Sequence, residues 1–271
     1  MDKSDYMEPV CPFDISGWQE EPVRPCENPL DIHAVLQEFD ACVNRNDGAA
    51  ASACLQSWRG EAQRRGDLRG ELTLLSEMMG FYRQQKMKDE SLSAVRDGLA
   101  LMKRLSLQGE SAGTILINAA TALCAFGEAK NALPYYEEAF RQYGKSIPEN
   151  HWKFASLCNN MASAYLVLEE LQRAEAYYRK ALKILENIGD KLDLAVTYVN
   201  LAQLLWKQDP AHEDIQKYMD TALDLFDDPS VSRDGYYAQT CRKCVDAFGF
   251  FGYFLAEKEL KRRMEEIYAG A

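Results

Sequence analysis

One short pattern returns along this chain at a nearly constant interval. It begins with an asparagine, found at Asn118, Asn160 and Asn200, so that successive copies lie 42 and 40 residues apart. Such an interval indicates structural units stacked one after another, because a single compact globule imposes no repeat of this length. An alanine keeps the same interval at Ala139, Ala181 and Ala222, and a fainter copy with Glu77 and Gly98 precedes them.

Within each copy, small and large residues alternate at helical spacing. In residues 155–186 the small positions include Ala162 and Ala181, and the large ones include Tyr165 and Tyr178. Alanines let two helix backbones approach, while large side chains fill the space between them. The pattern resembles the tetratricopeptide (TPR) repeat, and in particular uncharacterised bacterial TPR proteins with repeats of about 40–42 residues. This resemblance implies an all-α fold, a right-handed superhelical solenoid of about six antiparallel helix pairs.

The chain is expected to divide into two parts, a Pro-rich segment (residues 1–29) and a helical repeat domain (residues 30–268). Prolines forbid a continuous helix in the first part, whereas Tyr6, Phe13 and Trp18 make it too apolar for an ordinary solvated tail. We expect this segment to lie extended on the solenoid and partly in its groove; the alternative is a disordered tail. The predicted pairs are a degenerate pair at 30–66, then 68–104, 111–144, 151–187, 191–227 and a terminal pair at 234–268.

Composition limits the partners and the compartment. The formal net charge of −11 argues against nucleic acid or an anionic membrane as the main partner, because both reward clustered Lys and Arg. The N-terminus lacks the apolar core of a signal peptide. The eight cysteines are scattered, and several occupy apolar helical positions, which is typical of reduced thiols. We therefore expect a cytoplasmic protein.

The TPR resemblance implies a groove lined by the first helix of each pair. In that family the recurrent asparagine points into the groove, where its amide can pair with the backbone of a bound peptide. The alternative is that these asparagines only bond neighbouring helices. The corresponding places on the middle and later first helices hold no basic residue, and Lys207 is the only nearby cation on them. One charge does not make the family's carboxylate clamp, so we do not expect recognition of an acidic tail. The predicted groove residues are Glu77, Asn118, Thr121, Ser156, Asn159, Asn160, Ser163, Asn200 and Gln203.

Enzymatic, metal-binding and cofactor-binding interpretations find little support. The three histidines fall in different helix pairs, without the spacing of a metal-binding helix. Cys241 and Cys244 form a Cys-x-x-Cys, but in mid-helix rather than after a strand, and the sequence leaves a redox or metal role open. We predict no catalytic residues, no metal and no cofactor.

Aromatic residues crowd around two glycines near the C-terminus. They either seal the core of the terminal pair or form a docking patch at the end of the solenoid. The candidate patch consists of Tyr236, Tyr237, Phe250, Phe251 and Tyr253.

The sequence leaves two candidate functions. The first is a non-catalytic adaptor that binds a protein or peptide of unknown identity in its groove. The second is a peptide-sensing regulator similar to bacterial pheromone-binding TPR receptors, although residues 1–29 are too short and Pro-rich for the DNA-binding domain those receptors usually carry. In either case we expect a monomer or a weak homodimer.

Overall fold

The computed structural model describes residues 26–45 and 47–269, which form twelve α-helices and no strand. The prediction of an all-α solenoid of about six helix pairs is confirmed. The predicted course of residues 1–25 lies outside the described residues. The helices are α1 (Ile32–Asn44), α2 (Gly48–Arg65), α3 (Leu68–Gln84), α4 (Lys88–Arg104), α5 (Gly109–Ala125), α6 (Ala129–Gly144), α7 (Trp152–Val167), α8 (Leu171–Ile188), α9 (Lys191–Gln208), α10 (Asp214–Asp227), α11 (Gly235–Phe250) and α12 (Phe254–Ala269).

Aspartates begin several of these helices. The side chain of Asp67 accepts a hydrogen bond from the backbone N–H of Gly70, at 2.9 Å, and so satisfies one of the free donors at the start of α3. Its second oxygen accepts from the N–H of Leu30 at 2.9 Å. One carboxylate therefore caps α3 and holds the chain before α1 against the second pair.

Alanines set the spacing between the helices of each pair. Ala162 in α7 and Ala181 in α8 are fully buried, as are their counterparts Ala120 and Ala139 in the third pair. Because each repeat buries its apolar face against its neighbours, the buried residues form one continuous core from α1 to α12.

The first helices of successive pairs lie on the inner side of the array. α3 contacts α5, α5 contacts α7, α7 contacts α9 and α9 contacts α11, whereas successive second helices make few or no such contacts in the described part of the chain. A solenoid bends toward the side on which its elements approach most closely, so α3, α5, α7, α9 and α11 line its concave face. Within residues 26–45 and 47–269, no helix combines the length and apolarity needed to cross a membrane.

Candidate ligand-binding groove

Two of the predicted groove asparagines bond neighbouring helices. Asn118 in α5 donates from Nδ2 to Oγ of Ser76 in α3, at 2.7 Å. Asn159 in α7 donates to Oγ1 of Thr197 in α9, at 2.9 Å, and Thr197 in turn donates to a backbone carbonyl of its own helix. These amides join successive first helices, as the alternative interpretation of the motif anticipated.

Two other predicted groove asparagines have no such partner. Asn160 in α7 and Asn200 in α9 are half-buried, and neither makes a side-chain hydrogen bond with any residue that the structure describes. Ser156 is half-buried and Gln203 is exposed, and both are likewise unbonded within the described chain. The amides of Asn160, Asn200 and Gln203 and the hydroxyl of Ser156 therefore keep their hydrogen-bonding groups free of partners within the described chain.

Tyrosines of the second helices form hydrogen bonds with two of the predicted groove residues on the first helices. The hydroxyl of Tyr136 in α6 lies 3.1 Å from that of Thr121, and the hydroxyl of Tyr178 in α8 lies 2.9 Å from that of Ser163. Burial raises the pKa of Tyr178 to about 12, so this hydroxyl is neutral at physiological pH. The hydroxyls of Thr121 and Ser163 are thus uncharged groups, each held by a hydrogen bond to a buried tyrosine.

The two ends of the solenoid face each other across a cleft of about 630 Å³. On one side lie Asp40 of α1 and Glu77 of α3; on the other lie Gln239 and Arg242 of α11 and Tyr268 of α12. Burial raises the pKa of Glu77, and the nearby charge of Asp40 raises it further. Glu77 therefore lies in the cleft between the ends of the solenoid, with the carboxylate of Asp40 close to it.

Two arginines near this cleft, Arg83 and Arg242, are not among the residues predicted from the sequence. Arg83 stands seven residues after Ser76 on α3, hence on the same face of the helix as the partner of Asn118. Burial lowers the pKa of the Arg83 guanidinium, and the positive charge of Arg242 also lowers it. No motif relates these arginines in the sequence, because they belong to opposite ends of the array.

Comparison with known proteins agrees with this architecture. Residues 152–228, which span the fourth and fifth pairs, match the tetratricopeptide repeat family. These two pairs therefore contain tetratricopeptide repeats. Such repeats are typical of protein–protein interaction scaffolds. The comparison with curated proteins finds no match.

Solved structures resemble the TPR array in fold. The crystal structure of BtubC (BKLC) from P. vanneervenii has a TM-score of 0.55 at 20% identity and covers 84% of this chain and 91% of its own. The TPR-like repeats of a putative kinesin light chain from Podosopora anserina have a TM-score of 0.51 at 16% identity, covering 73% and 95%. At these identities the likeness concerns the fold alone.

The C-terminal aromatic residues of the TPR array divide between core and surface. Tyr237 is fully buried, and its hydroxyl donates to the carbonyl of Phe226 at 3.3 Å, so it lies in the core instead of a surface patch. The hydroxyls of Tyr236 and Tyr253 donate hydrogen bonds to the carboxylates of Asp193 and Asp220 in the fifth pair, and Phe251 is half-buried. Phe250 is 60% exposed and packs edge-on against Trp206, with ring centroids 4.9 Å apart.

The Cys-x-x-Cys of the last helix pair lies in the core. Cys241 and Cys244 are 0% and 1% exposed, and burial raises their pKa to about 11 and about 12, respectively. A reactive cysteine needs a lowered pKa and access to its partner, which is the opposite environment. Within the described residues, no group of three or more His, Cys, Asp or Glu side chains is arranged to hold a metal ion.

Proposed function

We propose that this protein is a non-catalytic scaffold that binds an extended peptide or protein segment along its first-helix groove. The observation that supports this most directly is the contrast between neighbouring asparagines. Asn159 bonds Thr197 at 2.9 Å, whereas the adjacent Asn160 and the equivalent Asn200 remain unbonded among the described residues.

An asparagine amide carries both a donor and an acceptor, so it matches one peptide unit of an extended backbone. Half-buried amides suit this task, because they are partly dehydrated before the ligand arrives and their orientation is restricted by the helix. Ser156 and Gln203 add further uncharged groups on the same helices. Such a groove recognises the main chain of its ligand, and specificity must come from contacts elsewhere.

The experiment begins with purification from native cells and mass spectrometry of what co-elutes. Affinity for the identified ligand is then measured for Asn160→Ala combined with Asn200→Ala. Each lost hydrogen bond is worth about 0.5–1.5 kcal/mol, so the double variant should bind roughly five- to hundred-fold more weakly, with helicity unchanged. Asn131→Ala, on the exposed side of α6, is the matched control and should bind normally.

Unchanged affinity in the double variant would remove the binding site from this groove. The nature of the ligand separates the two forms of the proposal: a full-length protein supports an adaptor, and a short peptide supports a peptide-sensing regulator. The seven described cysteines are all free thiols, which supports placing the scaffold in the cytoplasm.

A weak homodimer is supported by a separate surface, the aromatic edge formed by Trp206, Phe250, Phe254 and Leu255. These side chains are 40%, 60%, 68% and 86% exposed. Their exposed area is roughly 400–500 Å², so two copies meeting here would bury about 800–1,000 Å², the size of a weak contact. Sedimentation velocity at increasing concentration should show dimers that Phe254→Ser with Leu255→Ser abolishes. A wild-type protein that stays monomeric at high concentration would refute this contact.

A further inference from the structure

The first described residues lie against the turn between α2 and α3. The thiol of Cys26 donates to the backbone carbonyl of Arg65, with sulfur and oxygen 3.3 Å apart, and the backbone N–H of Leu30 donates to the carboxylate of Asp67 at 2.9 Å. Arg65 is the last residue of α2, and Asp67 caps α3. Residues 1–25 therefore join the solenoid at the edge where each second helix ends and the next first helix begins.

Half-buried apolar side chains continue along this edge. They lie in or beside the turns that join one pair to the next, and each packs against the core with part of its surface. Trp152, the first residue of α7, is 48% exposed. Lys153 forms an ion pair with Glu110, so the starts of α5 and α7 adjoin here. We call this strip the second-helix edge, and its apolar members are Leu68, Leu105, Leu107, Ile147 and Trp152.

Most carboxylates near the second-helix edge are already neutralised by basic side chains. Glu61 pairs with Arg64 and Arg65, Glu110 with Lys153, and Glu138 with Arg141. Several exposed charges from α3 to the start of α7 form no ion pair within the described chain, namely the cations Arg69, Arg104 and Lys145 and the anion Glu149. The strip thus offers apolar surface together with an excess of free positive charge.

Residues 1–25 carry the complementary groups. Phe13 and Trp18 are large apolar rings, and the segment contains two basic residues, Lys3 and Arg24, against six acidic ones, which are Asp2, Asp5, Glu8, Asp14, Glu20 and Glu21. We infer that residues 1–25 pack along the second-helix edge, with their rings on its apolar strip and their carboxylates beside its free cations. The rings gain most from burial, and the carboxylates fix the direction of the segment.

The length of the segment is sufficient for this course. At about 3.3 Å per residue, 25 residues span on the order of 80 Å. The path from α2 to α7 crosses five neighbouring helices, and packed helices lie about 8–10 Å apart, which gives at most about 50 Å. The prolines of the segment favour the extended backbone that such a path requires.

The cleft between the ends of the solenoid suits this segment less well. Its lining includes the carboxylates of Asp40, Asp47 and Glu77, which repel an acidic chain. The cleft also lies toward the C-terminal ends of α1 and α3, whereas residues 1–25 join the solenoid near the N-terminal ends of these helices. Packing on the second-helix edge would leave the first-helix groove open, so it is independent of the proposed function.

Carbodiimide cross-linking of the full chain tests this contact. The reagent activates a carboxylate, which then forms an amide with a lysine amine while the reagent takes up the water, so only groups in contact are joined. Mass spectrometry should find links from Asp14, Glu20 or Glu21 to Lys103 and Lys145. Lys88, at the opposite end of α4 from Lys103, is the control and should not be linked to the segment. A mixture of unlabelled and isotope-labelled chains separates links within one copy from links between copies.

Two sets of variants separate packing from simple attachment at Cys26. Phe13→Ser combined with Trp18→Ser keeps the attachment but removes the rings, so the links to Lys103 should fall at least about five-fold. Phe13→Tyr combined with Trp18→Phe keeps the rings and should retain the links. Arg104→Glu combined with Lys145→Glu should lower the yield at Lys103 at least about three-fold, because free cations become anions. Lys88→Glu makes a matched change on the same helix and should not lower it.

Hydrogen exchange gives a second readout on the unmodified protein. Backbone amides of residues 10–25 should exchange at least about ten-fold more slowly in the wild type than in the double serine variant. Rapid exchange throughout residues 1–25 of the wild type would overturn the inference. Links to Lys243 of α11 in place of the edge lysines, links only between copies, or equal yields in the serine and ring-retaining variants would also overturn it.

Discussion

The middle and last junctions of the solenoid are built differently. Between the fourth and fifth pairs, α8 and α9 pack closely, with Ala181 and Ala202 fully buried nearby. Between the fifth and sixth pairs, α10 and α11 approach closely at few or no positions of the described chain, and α11 rests on α9 instead. Rings of Phe226, Tyr237 and Phe248 fill the space, with centroids 5.9 and 6.1 Å apart.

The two junctions therefore keep their helices apart in different ways. Where successive pairs repeat the same interface, small residues keep the spacing uniform. The junction between the fifth and sixth pairs departs from that interface and uses large rings. Arg263 strengthens this junction, since it donates to the Tyr237 hydroxyl at 2.9 Å and pairs with Asp227 at 2.7 Å. Close approach of the helix backbones thus holds the junction of the fourth and fifth pairs, whereas packed aromatic side chains hold the junction of the fifth and sixth pairs.

The largest effect should come from removing a ring at the last junction. Phe248 is fully buried against Phe226 and Tyr253, so Phe248→Ala should lower the free energy of unfolding by about 3–5 kcal/mol. The matched control is Phe250→Ala, because Phe250 is 60% exposed and should cost at most about 1 kcal/mol. Urea titration followed by circular dichroism measures both. Equal losses in the two variants would contradict the assignment of Phe248 to the junction.

A smaller loss is expected when the close approach in the middle is overfilled. Ala162 and Ala181 are fully buried between helices, so replacing either with Leu should cost about 1–3 kcal/mol of unfolding free energy. Ala176→Leu, on the exposed face of α8, is the control and should change stability little. Unchanged urea midpoints in Ala162→Leu and Ala181→Leu would show that alanines do not set the spacing of the middle pairs.

The sequence was informative wherever the repeat imposes its own geometry. The recurrence of Asn160 and Ala162 predicts helix pairs, their number and the inner row of polar groups, because the same contacts recur at each interval. It could not separate Asn159 from Asn160, since which of two adjacent amides meets the next helix depends on a small rotation between repeats. Thr197, which bonds Asn159, carries no signal that distinguishes it from other helical threonines.

The two ends of the chain were less predictable. Gly249 and Gly252 interrupt the helical periodicity near the C-terminus, so the pattern does not say that Tyr237 is buried and Phe250 is exposed. The position of α3 opposite α11 across the cleft depends on the sum of the rotations across all six pairs. No single residue encodes that sum, and a short stretch of sequence cannot reveal it.

The subtlest comparison concerns local opening rather than overall stability. Cys158 in the fourth pair and Cys244 in the last pair are both buried, and burial raises the pKa of these thiols to about 11 and about 12. A raised thiol pKa disfavours the thiolate, which is the reactive form, so each cysteine reacts only after its surroundings open. Because α10 and α11 lack the close backbone approach of α8 and α9, Cys244 should be alkylated at least about ten-fold faster than Cys158, equivalent to about 1.4 kcal/mol in opening.

Mass spectrometry of each cysteine peptide after timed alkylation with iodoacetamide measures these rates in one sample. Phe248→Ala should accelerate the reaction of Cys241 and Cys244 more than that of Cys158, since it weakens only the last junction. Ala162→Leu should do the reverse, because it loosens the fourth pair around Cys158. If all three cysteines react together in the wild type and in both variants, the solenoid opens as a single unit. The middle and last junctions would then differ in how they pack, but this difference would not allow the last pair to open independently of the middle pairs.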